Sequence, residues 1–306
     1  MTIEYNDFVI KQIKFMYGKY YEEIIKNKHI NDNIKNGDIT IENILNDKNI
    51  KDNGSIIYLV KKYWKKTNLN YFLRCDWRDC IKKNDFIITH NRQYKTNDQV
   101  IFLKSGYTTP EAMYIEDKID FKFKKNSIIF RGATSGCFNM NSNIQKVLRV
   151  KFMNNNFNIN KNIDIGFSRF IGLTDENKTI LNKYYKEPLS KNIQLEYKFI
   201  LNIEGNDYAS SFPWVLASNC CPLHNYPFSW ESYIFGQDLL PWIHFIPVNN
   251  DGTDLLEKYN WCIQNLEKCE EIANNGKKYM EPYLDKILNE KILKYFFELY
   301  PLRTIS

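Results

Sequence analysis

No stretch of this 306-residue chain is both long and apolar enough to span a bilayer. The opening residues, MTIEYNDFVIKQIKFMYGKYYEE, carry acidic side chains early and have no continuous apolar core. Neither a signal peptide nor an anchor is therefore expected, and a cytoplasmic location is. Dense lysine and arginine blocks are also missing. The 42 basic and 36 acidic residues leave a net charge of +6, a mild excess that favours an anionic ligand. With no clustered basic residues and no nucleic-acid-binding motif, no nucleic-acid partner is expected. The seven cysteines include one vicinal pair and show no regular spacing, which argues against a disulfide framework and against a zinc site. Cys75 and Cys80, with Asp76 and Asp79 between them, are the one cluster that hints at a metal, and no second ligand pair follows. An Asp-x-Asp pair placed after an apolar strand is absent too, so no metal site is expected. No internal repeat of fixed period is found.

What is present is a chain that can fold. An apolar fraction of 43% and an aromatic fraction of 15% suit a packed core, and the length suits two domains of ordinary size. Residues 6 to 27 repeat apolar side chains near helical spacing and read as an amphipathic helix. Residues 31 to 53 are polar and turn-like, with one short element around Ile39 to Leu45. Ser55 to Trp64 and Tyr71 to Arg74 read as further short pieces. Phe86 to Thr89 and Val100 to Leu103 read as strands, the first ending at His90-Asn91-Arg92.

From Ser127 the pattern alternates. Strands are expected at Ile128–Phe130, Ile163–Phe167, Tyr197–Ile203, around Cys221–His224, and at Ile243–Val248. Helices are expected over 143–154, 176–185, 212–218, as a pair over 254–279, and over 284–300. Such alternation predicts an α/β fold with a mostly parallel sheet and crossover connections.

The most informative stretch is YKFILNIEGNDYASSFPWVLASN, Tyr197 to Asn219. An apolar strand is broken at Gly205 and Asn206, and Ser210 and Ser211 then offer capping hydroxyls to a buried helix. Free backbone N–H groups at the carboxyl edge of a sheet suit a phosphorylated ligand, although many α/β turns of this kind bind nothing. At the end of another strand, Arg131 precedes Gly132, which would let the backbone pass close to a ligand. A plain strand-end salt bridge explains Arg131 equally well, and plain helix capping explains the serines.

Three separated blocks resemble the carboxyl half of glycosyltransferase family 90: EGNDYASSFPWVLASNCCPL, WESYIFGQDLLPWIHFIPV and DLLEKYNWCIQNLEKCEEIANNGKKYM. A fourth, NSIIFRGAT from Asn126 to Thr134, is similar to the family's strand followed by Arg-Gly-(Ala/Ser). The family includes lipopolysaccharide-modifying and capsule-associated glycosyltransferases and the protein O-glucosyl- and O-xylosyltransferases. The resemblance runs from about Ile119 to Met280, is weak from Phe86 to Lys118 and is absent before that.

The resemblance implies a GT-B architecture of two Rossmann-like domains facing across a cleft. It would divide the chain into 1–122 with a returning helix over 284–306, and 123–283 as the nucleotide-sugar domain. It implies an inverting, metal-independent transfer of glucose or xylose from a UDP-sugar to a glycan or protein hydroxyl, with no cofactor required. The donor would meet Arg131, Gly132, Ala133, Thr134, Asp164, Gly166, Glu204, Gly205, Asn206, Ser210 and Ser211, with Arg131 as the leaving-group clamp. Glu204 would hold ribose hydroxyls, or else be a solvated carboxylate at a strand edge.

Two departures stand out. Pro213 occupies a place where relatives carry a basic residue. The Arg-Asp-aromatic-Pro motif of the protein O-glucosyltransferases, whose aspartate is the general base, has no carboxylate counterpart near His90 to Lys95. His90 is therefore the substitute candidate for that base, while His224 and His244 read as core or supporting residues. Tyr94, Trp230, Tyr233 and Trp242 could stack on a ring or could be plain packing. A catalytically degenerate family member, retained as a nucleotide-sugar-binding or scaffold protein, is the alternative that these departures keep open.

Overall fold

The computed structural model describes residues 7–27, 39–40, 72–73, 88–89, 91–96, 99–102, 108–136, 143–234, 236 and 238–300. The chain divides into two compact units. One comprises residues 1–112, 230–236 and 282–306, the other residues 113–229 and 237–281.

The second unit is built on a five-stranded sheet. Its strands are β1 (Lys125–Ala133), β2 (Ile163–Arg169), β3 (Tyr197–Asn202), β4 (Cys221–Tyr226) and β5 (Ile246–Asn249). All neighbours pair in parallel, in the spatial order β2-β1-β3-β4-β5. The strands are short runs of branched and aromatic residues whose successive side chains enter opposite layers. Ile128, Phe130, Ile165, Phe167, Phe199 and Leu201 share one core with the helices Leu148–Asn156, Leu255–Gln264 and Leu266–Leu284. Ile129 and Ile200 face the other way, into a smaller core with Trp214 and Val215 of the helix Phe212–Leu216.

The crossover after β1 thus lies on one face and the helix after β3 on the other. Between β1 and β3 the winding reverses, and their pairing ends at Ile129 and Ile200, which makes their carboxyl ends the place where sheets of this kind form a crevice. This is the parallel α/β sheet that the alternating pattern predicts.

Several element boundaries differ from expectation, each for a local reason. The segment 143–154 opens as a 3₁₀ turn, Ile144–Lys146, before the helix Leu148–Asn156. The expected helix over 212–218 is only Phe212–Leu216. Ser211 occupies its N-cap position, yet its hydroxyl does not cap the helix and donates instead to Asn202 Oδ1 at 2.7 Å. The final strand begins at Ile246 rather than Ile243, because residues 240–245 turn back on themselves, with Trp242 N–H donating to the Phe245 carbonyl at 2.7 Å.

At the amino-terminal edge of the sheet a buried ion pair holds the connections. Lys124 is buried, and its ammonium lies 2.8 Å from Asp117. It also donates to the Leu195 carbonyl. The same carboxylate accepts from Asn219 N–H at 2.9 Å. Asn219 in turn donates from its amide to the carbonyls of Asp117 and Ile119, both at 3.1 Å. One carboxylate therefore ties the entries of β1 and β4.

In the first unit the helix expected over 6–27 is split. Gly18, at φ +56°, takes a left-handed conformation that favours glycine, so Asp7–Tyr17 and Tyr21–Asn27 are separate helices. Tyr17 donates to the Phe296 carbonyl of the helix Lys286–Leu299 at 2.7 Å, and the two rings stack. That last helix is capped by Asp285, which accepts from Ile287 and Leu288 N–H. Ile88–Thr89 pairs in parallel with Val100–Ile101, and Asn91–Gln93 pairs antiparallel with Trp230–Ser232. Arg92 is buried there, donating to Glu231 at 2.7 Å and to the Gln99 carbonyl at 3.1 Å, with its guanidinium 4.8 Å from the Phe15 ring centroid. The expected pieces at Ser55 to Trp64 lie outside the described residues.

Replacing Asp117 by Asn strands the Lys124 ammonium in the interior. The expected cost is about 3–5 kcal/mol in urea unfolding, partly recovered in the double variant Asp117→Asn, Lys124→Met. A single-variant loss under about 1 kcal/mol would show the pair to be dispensable.

Candidate active site at the sheet switch point

The crevice between β1 and β3 is organised by a residue that the sequence did not single out. Arg149, in the first turn of the helix after β1, lays its guanidinium across the ends of both strands. Nη1 donates to the Ala133 carbonyl at 2.8 Å and to Ser135 Oγ at 3.0 Å. Nε donates to the Ile203 and Glu204 carbonyls at 3.1 and 3.2 Å, and Nη2 to the Ile203 carbonyl at 2.6 Å. These acceptors are carbonyl and hydroxyl oxygens, and among the described ion pairs none involves Arg149. Burial pulls its pKa down to about 10, while the nearby carboxylates of Asp207 and Glu204 pull the other way. The group stays charged at neutral pH, a cation held by neutral dipoles at the mouth of the sheet.

Gly205 passes directly over this guanidinium. A Cβ there would sit 2.8 Å from Ser135 Oγ and 3.0 Å from Arg149 Nη2. Any larger residue would push the chain off the arginine.

Glu204 is not a solvated carboxylate. It is only 2% exposed, and both of its oxygens accept from Ser229 N–H at 3.0 Å. Asn225, near the end of β4, receives the Glu204 N–H at 2.8 Å and donates to Glu204 at 3.3 Å and to Asn250 at 2.8 Å. Burial forces such a carboxylate to find donors, and the turn after β4 supplies them. Glu204 and Asn225 thereby lock together the carboxyl ends of β3, β4 and β5.

The remaining expected residues fall into separate groups. Arg131 donates to Asp164 at 2.8 Å, to the carbonyls of Phe130 and Asp164 at 2.9 and 3.1 Å, and to the Glu187 carbonyl at 3.0 Å. Lys186 completes the cluster at 2.6 Å from Asp164. Burial opposes ionisation of Asp164, but the bonds from Arg131 and Lys186 outweigh it and hold the carboxyl below its ordinary range. Gly166 gives the Lys186 stem its room, since a Cβ would lie 2.6 Å from Lys186 Cγ. Gly132 likewise accommodates a protein ring, with Phe130 Cζ at 2.5 Å from such a Cβ. Both glycines were expected to face a ligand, and each is filled by a side chain of the protein itself.

Thr134 is buried, and its hydroxyl accepts from Ile171 N–H at 3.0 Å. Asn206 is half-buried beside Gly205, whereas Ser210 is exposed. The contacts of Arg131 run to Asp164 and those of Ser211 to Asn202, with no partner in common. His90 lies outside the described residues.

His224 is a core residue, as expected. Its ring is 4.3 Å from that of Phe212, and Nδ1 donates to the Asn225 carbonyl at 2.7 Å. Burial pulls its pKa down to about 3, against the pull of that carbonyl, and the charge of Arg149 adds to the depression. Tyr233 is likewise buried packing, donating to Asn289 at 2.6 Å, and Trp242 lies edge-on to Trp261.

The family description Glycosyl transferase family 90 matches residues 117–301, a span that holds Arg149 and both strand ends of the crevice. Uncharacterized protein 179R of Invertebrate iridescent virus 6 is 28% identical over 252 residues, 73% of this chain and 21% of that protein. The O-glucosyltransferase LpsA of Dichelobacter nodosus is 26% identical over 189 residues, 62% of this chain and 53% of LpsA. Protein O-glucosyltransferase 2 of Danio rerio is 28% identical over 117 residues, 37% of this chain and 22% of that protein. The chain thus spans about half the length of LpsA and about a fifth of the other two.

Because the folded His224 binds its proton only near pH 3, the unfolded chain holds more protons between that value and its own pKa of roughly 6.5. Stability is therefore expected to be complete above that upper limit and to fall toward pH 3, by up to about 1.4 kcal/mol per pH unit from this residue. Urea midpoints measured against pH should show a flatter slope in His224→Gln. An unchanged slope would place the acid sensitivity elsewhere.

Proposed function

This chain belongs to glycosyl transferase family 90, and on that premise we propose that it transfers a hexose or pentose from a UDP-sugar to a hydroxyl of a glycan or protein acceptor. Glucose or xylose is the sugar we favour by analogy with the family, with inversion at the anomeric carbon. The observation that carries this reading is Arg149, a half-buried cation whose hydrogen-bond acceptors are neutral, at the point where the sheet reverses its winding. Ligands of open α/β sheets bind at such reversal points.

Breaking the anomeric bond leaves charge on the departing diphosphate, so the reaction needs positive potential already in place there. Arg149 supplies it from a rigid cradle of strand-end carbonyls. Gly205 brings backbone close to the same spot, and the Glu204–Asn225 lock fixes the rim. In this proposal the diphosphate lies against Arg149, Ser135 and the 205–206 turn. Arg131, bound to Asp164, is the second candidate contact. The chain offers no Asp-x-Asp pair, and the guanidinium takes the part a divalent ion would play. The second unit then acts as the donor half of a GT-B pair, and His90 serves as the base that takes the acceptor's proton.

UDP is expected to protect the protein against thermal unfolding in EDTA. Arg149→Met should weaken UDP binding by about ten- to a hundredfold, corresponding to roughly 1.5–3 kcal/mol for a charged hydrogen-bonding group. Arg131→Met should weaken it less. Protection that vanishes on chelation would overturn the metal-free reading, and wild-type affinity in Arg149→Met would overturn the site.

His90→Ala should lower sugar transfer far more than UDP binding. Equal losses in both would remove it from the base role, and UDP binding without transfer to any acceptor would favour a scaffold protein.

A further inference from the structure

The turn that leads into β5 carries large apolar side chains into solvent. Leu240, Trp242 and Ile243 are 43%, 38% and 44% exposed, between the buried anchors Leu239 and Phe245. Trp242 stands at φ +64°, a left-handed conformation that is strained for a residue with a Cβ and most of all for a bulky one. Surrounding bonds must hold it there.

His244 supplies two of them. Its backbone N–H donates to the Leu240 carbonyl at 3.0 Å, and Leu240 N–H donates to the ring Nδ1 at 2.9 Å. Both polar groups of Leu240 are thus clasped by one residue. Ile243 N–H shares the same carbonyl at 3.4 Å, and Trp242 N–H closes the turn on the Phe245 carbonyl at 2.7 Å. Pro241 has no N–H to add. A ring nitrogen that accepts a backbone N–H carries no proton, so His244 is neutral here with its proton on Nε2.

The His244 ring is half-buried and lies 5.1 Å from the ring of Tyr279 on the helix Leu266–Leu284. Burial lowers its pKa below the ordinary 6.5, against the opposing pulls of the Leu240 backbone and the Asp238 carboxylate. The neighbouring cation, Lys258, faces the Trp242 ring at 5.6 Å and is paired with Asp254 at 3.2 Å. Trp242 itself rests edge-on against Trp261, with ring centroids 4.9 Å apart.

We propose that the clasp between His244 and Leu240 is an acid-sensitive latch on this apolar tip. With the ring neutral the turn is closed and Trp242 is held in its left-handed conformation. A proton on Nδ1 sets two N–H donors against each other, so the clasp opens and Trp242 relaxes away from Trp261. The open turn binds that proton more readily than the closed one. The closed form is therefore complete above the ordinary histidine value of 6.5 and is lost as the pH falls below it. The latch is independent of the donor assignment.

The test follows the full chain, labelled with ¹⁵N, by NMR from about pH 7.5 to about pH 4.5, a range that spans an ordinary histidine titration. At the upper end the His244 ring nitrogens should show the tautomer with its proton on Nε2, and the opposite tautomer would overturn the clasp. On acidification the Leu240 amide and the Trp242 indole should shift together, with one midpoint below 6.5. The Trp242 signal is identified by its absence in Trp242→Phe. The Trp214 indole, in the smaller core, should stay in place. His244→Asn offers an oxygen to the same N–H but does not titrate, and it should abolish the shift. The proposal is overturned if neither signal moves, or if the shift persists in His244→Asn, which would make Asp238 the sensor. It is overturned equally if Trp214 moves with them, the mark of general unfolding. A chain that fails to bind UDP would remove the donor assignment and leave these outcomes unchanged.

Discussion

The bonds of Arg149 to the carbonyls of Ala133, Ile203 and Glu204 join two strand ends that the topology would otherwise let splay apart. In a doubly wound sheet the strands on either side of the reversal lose their common crossover, and their last carbonyls point into a gap. A guanidinium is planar, always charged near neutrality and rich in donors, so it can bridge such a gap where an ammonium or an amide could not. The crevice, the placement of Gly205 over the arginine and the locking of Glu204 by Ser229 all follow from that bridge. The same bridge places a positive charge where the sheet reverses its winding.

Much of the fold was legible in the sequence. The β1, β2 and β3 segments announce themselves as short runs of branched and aromatic residues, and the helices between them follow from spacing. Strand order was not legible, because neighbours in a parallel sheet are set by long-range packing that local periodicity does not record. Helix starts were partly misread for a related reason. Ser211 stands where a cap would stand, but Asn202 on the adjacent strand offers its hydroxyl a better partner than the backbone does.

The expected site residues lie in several separate groups in the structure. The Tyr197–Asn219 stretch does end at the crevice, through Glu204 and Gly205. Arg149 escaped notice because its partners are backbone carbonyls, which leave no trace in residue identity. A carboxylate partner would have suggested a pair. Asn225 was hidden in the same way, as one polar residue closing the apolar run of β4. Gly132 and Gly166 pose the opposite difficulty. A glycine at a strand end signals that something comes close, and only the packed structure shows that Phe130 and the Lys186 stem are what come close.

One further consequence concerns the order in which the chain leaves the ribosome. Residues 230–236 are contributed to the first unit from between β4 and β5, and residues 282–306 from the chain's far end. The Arg92–Glu231 pair and the seat of Tyr17 on Phe296 both rest on these late segments. Residues 7–27 precede these segments in the chain and therefore cannot complete their packing until the helix Lys286–Leu299 has been made. Until Phe296 emerges, the partner that covers the apolar face of the helix Asp7–Tyr17 does not yet exist, so order of synthesis gives that half no head start.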